Sequence, residues 1–116
     1  MNAQEFVAAI RDVVMDTSVT DTVAVMRKPP GRRPEAELVE LSSWYNNLSN
    51  ADREMLTRML TMVARNAVFG LFAVLDGARR IDPDAGVEDY FELRHVHGSS
   101  HDVLSGPEGE PLHELL

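Results

Sequence analysis

The longest regular pattern of apolar and polar residues in the chain runs from Leu48 to Ile81. Apolar side chains recur there at steps of three and four residues, which places them on one face of a helix with 3.6 residues per turn. This stripe consists of Leu56, Leu60, Val63, Ala67, Leu71 and Val74. We therefore predict one long central helix, over about residues 50–80, that buries this stripe in the core of the protein.

The two halves of this helix differ in polarity. Up to Asn66 the opposite face carries polar side chains, namely Arg53, Thr57, Arg58, Thr61 and Arg65. From Ala67 to Leu75 no residue is charged, so this segment is apolar on every side and needs cover from the rest of the chain or from a second copy. The segment is much shorter than the roughly 20 apolar residues that cross a bilayer. The pattern therefore predicts a homodimer and no membrane span.

Single residues mark the start and the interior of the long helix. Ser49 and Asp52 form a variant of the capping box that begins helices. Gly70 lies in the apolar half, where glycine costs about 1 kcal/mol relative to alanine. We take it to indicate close approach of another element, in the ordinary case a second helix.

The sequence leaves two alternatives for the residue at which the helix ends. Asp76 and Gly77 stop or bend it, because glycine suits a left-handed C-cap, or the helix continues through Arg79 and Arg80. Asp76 follows the apolar segment directly, so we expect it to be partly buried. A structural ion pair with Arg79 or Arg80, or a hydrogen bond at the helix end, is favoured over a catalytic role.

Shorter elements flank the long helix. The spacing of apolar residues predicts a first amphipathic helix over residues 2–15. It predicts another over residues 34–45, which begins at Pro34. Residues 17–27 keep helical spacing but are rich in β-branched side chains, so helix and strand both remain open. Strands are predicted at residues 89–97 and 101–104, followed by a terminal helical turn. The fold class is thus a mostly helical α+β domain, with three or four helices and a small C-terminal antiparallel β-hairpin.

The length, charge and residue composition of the chain exclude some classes of function. At 116 residues a single domain, 1–116, is the default. The net charge of −8 and the pI of about 4.8 argue against binding to nucleic acid or to anionic membranes, and favour a basic protein partner. The chain has no cysteine, which excludes disulfides and thiol chemistry. Its N-terminus lacks the pattern of a signal peptide, so a cytoplasmic location is expected.

Two pairs of residues are candidates for partner contacts. Arg32 and Arg33 belong to the stiff connection KPPGRRP, the densest positive cluster in the chain. Their guanidinium groups suit carboxylates or phosphates of a partner, although pairing with the protein's own acids is the ordinary interpretation. Trp44 and Tyr45 are an adjacent aromatic pair, of a kind that is enriched at interface hot spots. Packing in the core is favoured over that role.

Histidines provide the one pattern with metal-ligand chemistry. His95 and His97 share a face of the first predicted strand, and a hairpin can return His101 or Asp102 beside them. His95, His97 and His101 would then hold zinc with an open position, which is our alternative prediction of a small metal-binding protein or enzyme. The leading prediction includes no metal and no cofactor. His113 has no evident partner in the sequence.

The run from Pro29 to Ile81 resembles a group of small bacterial proteins of uncharacterised function. Four segments carry the resemblance: PPGRRP, ELSSWYNNLS, LSNADRE and AVFGLFAVLDGARRI. It implies an intracellular bacterial protein and supplies no activity or catalytic residue.

Motifs of common enzyme classes are missing from the chain, including the Walker loop, GxSxG, GxGxxG and HExxH. An enzyme is therefore less favoured than a binding protein. The sequence predicts a non-enzymatic protein-interaction module, such as a regulatory or immunity-type protein that binds a basic partner.

Overall fold

A computed structural model describes all residues, 1–116, and gives the following elements. Helix α1 spans Ala3–Ile10 and continues into a π-helical segment at Arg11–Asp16. Three further helices follow, namely α2 at Thr17–Arg27, α3 at Ala36–Asn46 and α4 at Asn50–Leu75. The chain ends with strand β1 at Leu93–His97, strand β2 at Ser100–Ser105 and the short helix α5 at Leu112–Leu115. The predicted mostly helical α+β fold, with a long central helix and a C-terminal hairpin, is confirmed.

The chain divides into two compact units. Unit 1 consists of Met1–Val13 and Asn66–Leu116, and unit 2 consists of Val14–Arg65. The single domain predicted from chain length stays a prediction.

Residues 17–27, which the sequence left open, are helical. Hydroxyl groups in this segment do not compete for the helix's backbone N–H groups, because they bond to carbonyls in the preceding turn. Ser18 Oγ donates to the Met15 carbonyl at 2.8 Å, and Thr22 Oγ1 donates to the Ser18 carbonyl at 2.7 Å. The helical backbone continues from α1 through the π-helical segment into α2.

Unit 2 is built on the contact between α2 and α3. The buried apolar residues of this unit are Met15, Val19 and Tyr45. The amide of Asn46 donates to the carbonyls of Met26 and Arg27, which the end of α2 would otherwise leave without partners.

The start of α4 is fixed by two contacts within unit 2. Ser49 Oγ accepts a hydrogen bond from the Asp52 backbone N–H at 3.1 Å, as its position in the capping pattern predicts. Arg53 donates to the carbonyls of Tyr45 and Asn46, so the first turn of α4 satisfies the last turn of α3.

Unit 1 has its own core, centred on Val7, Phe72 and Leu112. Partly buried apolar residues surround it, namely Ala3, Phe6, Ile10, Val68, Leu75, Leu93, Leu115 and Leu116. Arg11 donates to the carbonyls of Leu115 and Leu116, which ties the C-terminal residues to the first helical segment. The C-terminal leucines therefore dock on the core.

The helix α4 ends at Leu75, five residues before the predicted limit of 80. Gly77 takes the left-handed conformation with φ of 77°. The Ala78 N–H bonds to the Ala73 carbonyl and the Gly77 N–H bonds to the Val74 carbonyl, which together form a Schellman motif. The glycine thus ends the helix, and Arg79 and Arg80 lie beyond it.

The predicted core stripe of α4 is wrong in part. Val63, Ala67 and Leu71 are exposed. The less exposed positions instead step by four residues, through Leu56, Leu60, Ala64, Val68 and Phe72. Both sets are apolar and both have helical spacing, so the periodicity alone did not decide which of them faces the core.

Gly70 is buried, but no helix crosses it. The Arg79 side chain covers this position, and a Cβ atom added to Gly70 would lie 2.7 Å from Arg79 Nη1. The close approach that the glycine indicated is therefore real, and the element that approaches is an arginine side chain from the segment after the helix.

The buried position of Leu112 gives a direct test of the unit 1 core. Leu112 is 0% exposed, so we expect Leu112→Ala to lower the free energy of unfolding by about 2–5 kcal/mol, through lost burial and a cavity. Urea unfolding followed by circular dichroism measures the change. The matched control is Val87→Ala at a fully exposed position, with an expected effect below about 0.5 kcal/mol. A loss below about 1 kcal/mol for Leu112→Ala would mean that α5 does not belong to the core.

Candidate functional site

The structure separates the two aromatic candidates. Trp44 is 54% exposed, whereas Tyr45 is 1% exposed and lies in the core of unit 2. Neighbouring residues on a helix point about 100° apart, so only one of the pair can face the core. Tyr45 thus packs in the core, which the sequence favoured over a partner contact, whereas Trp44 remains available to a partner.

Arg32 and Arg33 are both exposed, in the connection between α2 and α3. Neither guanidinium forms an ion pair or a hydrogen bond within the chain, so the protein's own acids do not use them. Gly31, just before them, takes a left-handed conformation with φ of 84°, which turns the connection at this point. Their role in binding a partner stays a prediction.

The exposed face of α3 combines Trp44 with carboxylates. Glu37, Glu40 and Leu41 are exposed and lie at helical spacing from Trp44, on one face of the helix. Neither glutamate forms an ion pair or a hydrogen bond through its side chain. We refer to these four residues as the α3 face. It places one large aromatic ring beside two unpaired negative charges.

A second exposed face lies on the part of α4 that belongs to unit 2. Met55, Met59, Met62 and Val63 are between 55% and 64% exposed. Their spacing puts the three methionines on the side of α4 away from Ala64, with Val63 at the edge of that side nearest Leu60. We refer to these four residues as the methionine face. Part of α4 is thus apolar on both sides, and the chain covers only one of them.

By length and composition alone, α4 is also apolar enough to cross a membrane, a test that core helices of other proteins pass as well. Arg58 and Arg65 lie in the middle of this helix, before its apolar segment at residues 67–75. A charged side chain near the centre of a membrane helix costs about 2.5–3.5 kcal/mol on insertion scales.

The β-hairpin brings together a histidine pair and an aspartate. In the antiparallel register His95 lies opposite Asp102, and Val96 lies opposite His101. Alternation along the strands therefore puts His95, His97 and Asp102 on one face and His101 on the other. His101 Nε2 instead lies 3.0 Å from an Arg94 guanidinium nitrogen. The predicted cluster of three histidines is therefore wrong in its third member, and Asp102, which the sequence offered as the alternative, takes that place.

The N-terminal ammonium and two imidazole rings converge on the Asp102 carboxylate. Its Oδ2 atom lies 3.0 Å from the Met1 ammonium, 3.4 Å from His97 Nε2 and 4.0 Å from His95 Nδ1. The ammonium holds the pKa of Asp102 below its usual value of 3.8, mainly by its hydrogen bond and its charge, and His97 adds to this effect. Asp102 is therefore an anion at neutral pH.

A second cluster lies after the end of α4, around Asp76. Its side chain is 6% exposed and accepts hydrogen bonds from His113 Nδ1 at 2.7 Å, from the His113 backbone N–H at 2.9 Å and from Ser105 Oγ at 3.0 Å. The sequence offered an ion pair of Asp76 with Arg79 or Arg80, or a hydrogen bond at the helix end, and no evident partner for His113. The ion pair with either arginine is not formed, and hydrogen bonds from Ser105 and His113 take its place. The C-terminal segment supplies these donors because it folds back onto the end of the helix.

The pKa of Asp76 reflects two opposing effects. Burial raises it, but the hydrogen bonds from the His113 backbone, the His113 ring, the Leu112 backbone and Ser105 outweigh burial, so the pKa lies below the usual 3.8. Ser105 donates to the carboxylate and not to the imidazole. This order differs from a catalytic triad, in which the serine hydroxyl bonds to histidine.

A pocket of about 540 Å³ lies beside the loop that follows α4. Its wall combines cations, anions and aromatic rings, including Arg79, Arg80, Asp82, Asp89, Tyr90 and Phe91. Arg80 already donates to the Ala85 carbonyl at 2.5 Å, which holds this loop to the segment after the helix. The mixed charges define no single ligand class.

Comparisons with protein-family models, with curated proteins and with solved structures found no match to this chain. The resemblance to small bacterial proteins therefore stays a prediction, and the proposals below rest on the geometry of the chain itself.

The Asp76 cluster predicts a specific dependence of stability on pH. Because the folded pKa is lowered, the stabilisation by the Asp76 anion is complete above the unfolded value of 3.8 and is lost as the pH falls through the folded value. We expect Asp76→Asn to lower the free energy of unfolding by about 1–3 kcal/mol at neutral pH. The difference from the unchanged protein should shrink below pH 4. Urea unfolding over a pH series measures both effects.

Asp21→Asn is the control for this experiment, since Asp21 is an exposed carboxylate on α2. It should change the unfolding free energy by less than about 0.5 kcal/mol at every pH. An Asp76→Asn effect of the same size at pH 3 and pH 7 would show that the charge of Asp76 is not what stabilises the cluster.

Proposed function

We propose that the protein is a non-enzymatic protein-interaction module, of the regulatory or immunity type, that binds a basic protein partner through the α3 face. The observation that carries the proposal is the position of the exposed Trp44 ring beside the unpaired carboxylates of Glu37 and Glu40. The net charge of −8 supports it, because an acidic protein attracts and orients a basic one.

Each part of the α3 face has a separate role in this proposal. Trp44 supplies a large apolar surface of the kind that dominates binding energy at interface centres. Glu37 and Glu40 supply charge complementarity, which raises the association rate and rejects acidic proteins. Leu41 extends the apolar surface between them. Arg32 and Arg33, close by in sequence, are unpaired and remain candidates for contacts with carboxylates of the same partner.

We also propose that the protein is a homodimer, in which a second copy covers the methionine face. Four large apolar side chains that are more than half exposed on one helix are unusual for a monomer, because burial of each would be favourable by about 1.5–3 kcal/mol. A helix face with this spacing can pair with its own copy around a two-fold axis. Methionine side chains are flexible and fill the irregular gaps of such an interface.

Protein is a better cover for this face than lipid. Arg58 follows Met55 by three residues, so a helix inserted in a bilayer would carry this charge beside the methionines. At a protein interface, by contrast, the aliphatic stem of an arginine packs at the rim and its charged end stays in water. A cytoplasmic location is consistent with this arrangement and remains part of the proposal.

The dimer is tested with a charge placed in the methionine face. Size-exclusion chromatography with light scattering should give twice the chain mass of 12.9 kDa for the unchanged protein at high micromolar concentration. Met59→Glu/Met62→Glu should give the mass of one chain, because it buries unpaired charges at the interface. Thr61→Glu is the control, as this exposed residue lies on the same helix outside the methionine face, and it should remain dimeric.

Two results would contradict the dimer. One is a single-chain mass for the unchanged protein at every concentration. The other is co-sedimentation of the protein with neutral lipid vesicles that the Met59→Glu/Met62→Glu variant abolishes, since the methionine face would then bind lipid.

The basic partner is tested by affinity capture from the source cell at low and at high salt. We expect one basic protein in stoichiometric amount at low salt and much less at high salt, because salt screens the attraction of exposed charges. Glu37→Lys/Glu40→Lys should reduce the capture at least about tenfold. Asp21→Lys/Glu54→Lys changes the net charge equally, at exposed positions outside the α3 face, and should reduce it much less. Equal loss with both variants, or no captured protein, would refute this role of the α3 face.

A further inference from the structure

The geometry points to a binding site for one divalent transition-metal ion on the β-hairpin, with His95 Nδ1, His97 Nε2 and an Asp102 carboxylate oxygen as its ligands. One ligand atom of each of these three residues lies within 4.8 Å of those of the other two. The site is independent of the α3 face and of the methionine face, since it lies in unit 1 and those faces lie in unit 2.

The strand pattern explains why these three residues meet. His95 and His97 are two residues apart on β1, so both side chains project from the same face of the strand. Asp102 lies on β2 directly opposite His95 in the antiparallel register. Backbone hydrogen bonds of the hairpin hold the two strands, so the three ligands are brought together by the fold before any ion binds.

The distances are close to those that a metal ion requires. Tetrahedral zinc binds nitrogen and carboxylate oxygen at about 2.0–2.1 Å, which places neighbouring ligand atoms about 3.3 Å apart. His97 Nε2 already lies 3.4 Å from Asp102 Oδ2. His95 Nδ1 lies 4.0 Å from the same oxygen, so a small rotation of its side chain completes the geometry.

One ligand atom lacks any other partner. His95 Nδ1 is shielded from solvent and forms no hydrogen bond, although most buried polar atoms in proteins form at least one. At 4.0 Å the Asp102 oxygen is too far away to accept a hydrogen bond from it. The imidazole rings of His95 and His97 lie with their centres 5.2 Å apart, inclined by 31°, so both border the same space. A bound ion would satisfy this nitrogen.

The donor set selects the class of ion. Two imidazole nitrogens and one carboxylate suit zinc and other divalent transition metals, whereas magnesium and calcium prefer oxygen ligands alone. Three protein ligands also leave a position for water or another small ligand. The Met1 ammonium contacts Asp102 and would compete with the ion for this carboxylate. The test therefore uses a chain that begins at Met1, with any purification tag at the C-terminus and removed.

Isothermal titration of the chelator-treated protein with zinc chloride tests the site. We expect one zinc ion per chain, no heat of binding with magnesium chloride, and a loss of affinity of at least about tenfold in each of His95→Ala, His97→Ala and Asp102→Asn. Cobalt chloride gives an independent signal, because a tetrahedral Co²⁺ complex has visible absorption bands that His97→Ala should abolish.

His101→Ala is the matched control, because His101 belongs to the same hairpin and projects from its other face. It should bind zinc with the affinity of the unchanged protein. Absence of zinc binding, or binding that persists equally in His95→Ala and His97→Ala, would overturn the proposal. So would a loss with His101→Ala as large as that with His97→Ala. Circular dichroism of each variant shows whether the hairpin variants remain folded, and none of these outcomes bears on the dimer or on the basic partner.

Discussion

A helix that is apolar on two sides is the constraint on which the rest of this structure depends. One side of α4 is covered by the chain, through the stripe from Leu56 to Phe72. The other side exposes the methionine face in unit 2. Burial of apolar surface is the main stabilising term in folding, so a chain that leaves this much surface exposed has a further favourable term to gain by association. The proposed homodimer rests on this composition of the helix and on no special motif.

Asp76 shows how a charged group is used at the end of that helix. A carboxylate that is nearly buried costs stability unless hydrogen bonds replace the lost water, and Asp76 receives them from Ser105 and His113. These contacts connect the end of α4, the second strand and the C-terminal helix, all within unit 1. Since Leu112 lies beside His113 in the core, the polar and the apolar contacts hold the same segment. The C-terminal residues are therefore part of the folded unit.

Local signals in the sequence predicted the elements well, because the physics behind them is local. The Ser49 cap and the β-hairpin follow from short-range hydrogen bonding and alternation, and both are present. Predictions from the sequence were wrong where a contact depends on residues that are distant along the chain. Val63 and Leu60 are equally apolar, so only the packed chain shows which of them is covered. Asp76 and His113 are 37 residues apart, and no sequence pattern near either residue indicates that they pair.

The same difference between local and distant signals applies to the candidate metal site. Alternation on a strand predicted that His95 and His97 share a face, but the third ligand depends on the register of the hairpin. A register shifted by one residue would bring His101 to that face in place of Asp102. The register thus decides between a site with three neutral ligands and one with a carboxylate. It also decides the balance of charge, because the carboxylate offsets one of the two charges of the ion.

The hairpin itself gives a reason for an ion at this place. Two isolated strands are marginally stable in water, and here the backbone ladder of β1 and β2 has only five paired positions. At the open end of the hairpin Leu93 packs against the apolar core and Leu104 is buried, whereas Val96, His97, Ser100 and His101 near the turn are all exposed. An ion held by His95 and His97 on one strand and by Asp102 on the other would link the strands at the end where apolar packing is absent. An ion that binds only the folded hairpin shifts the folding equilibrium towards the folded state. The stability of this end of the hairpin would therefore increase with the concentration of the metal ion.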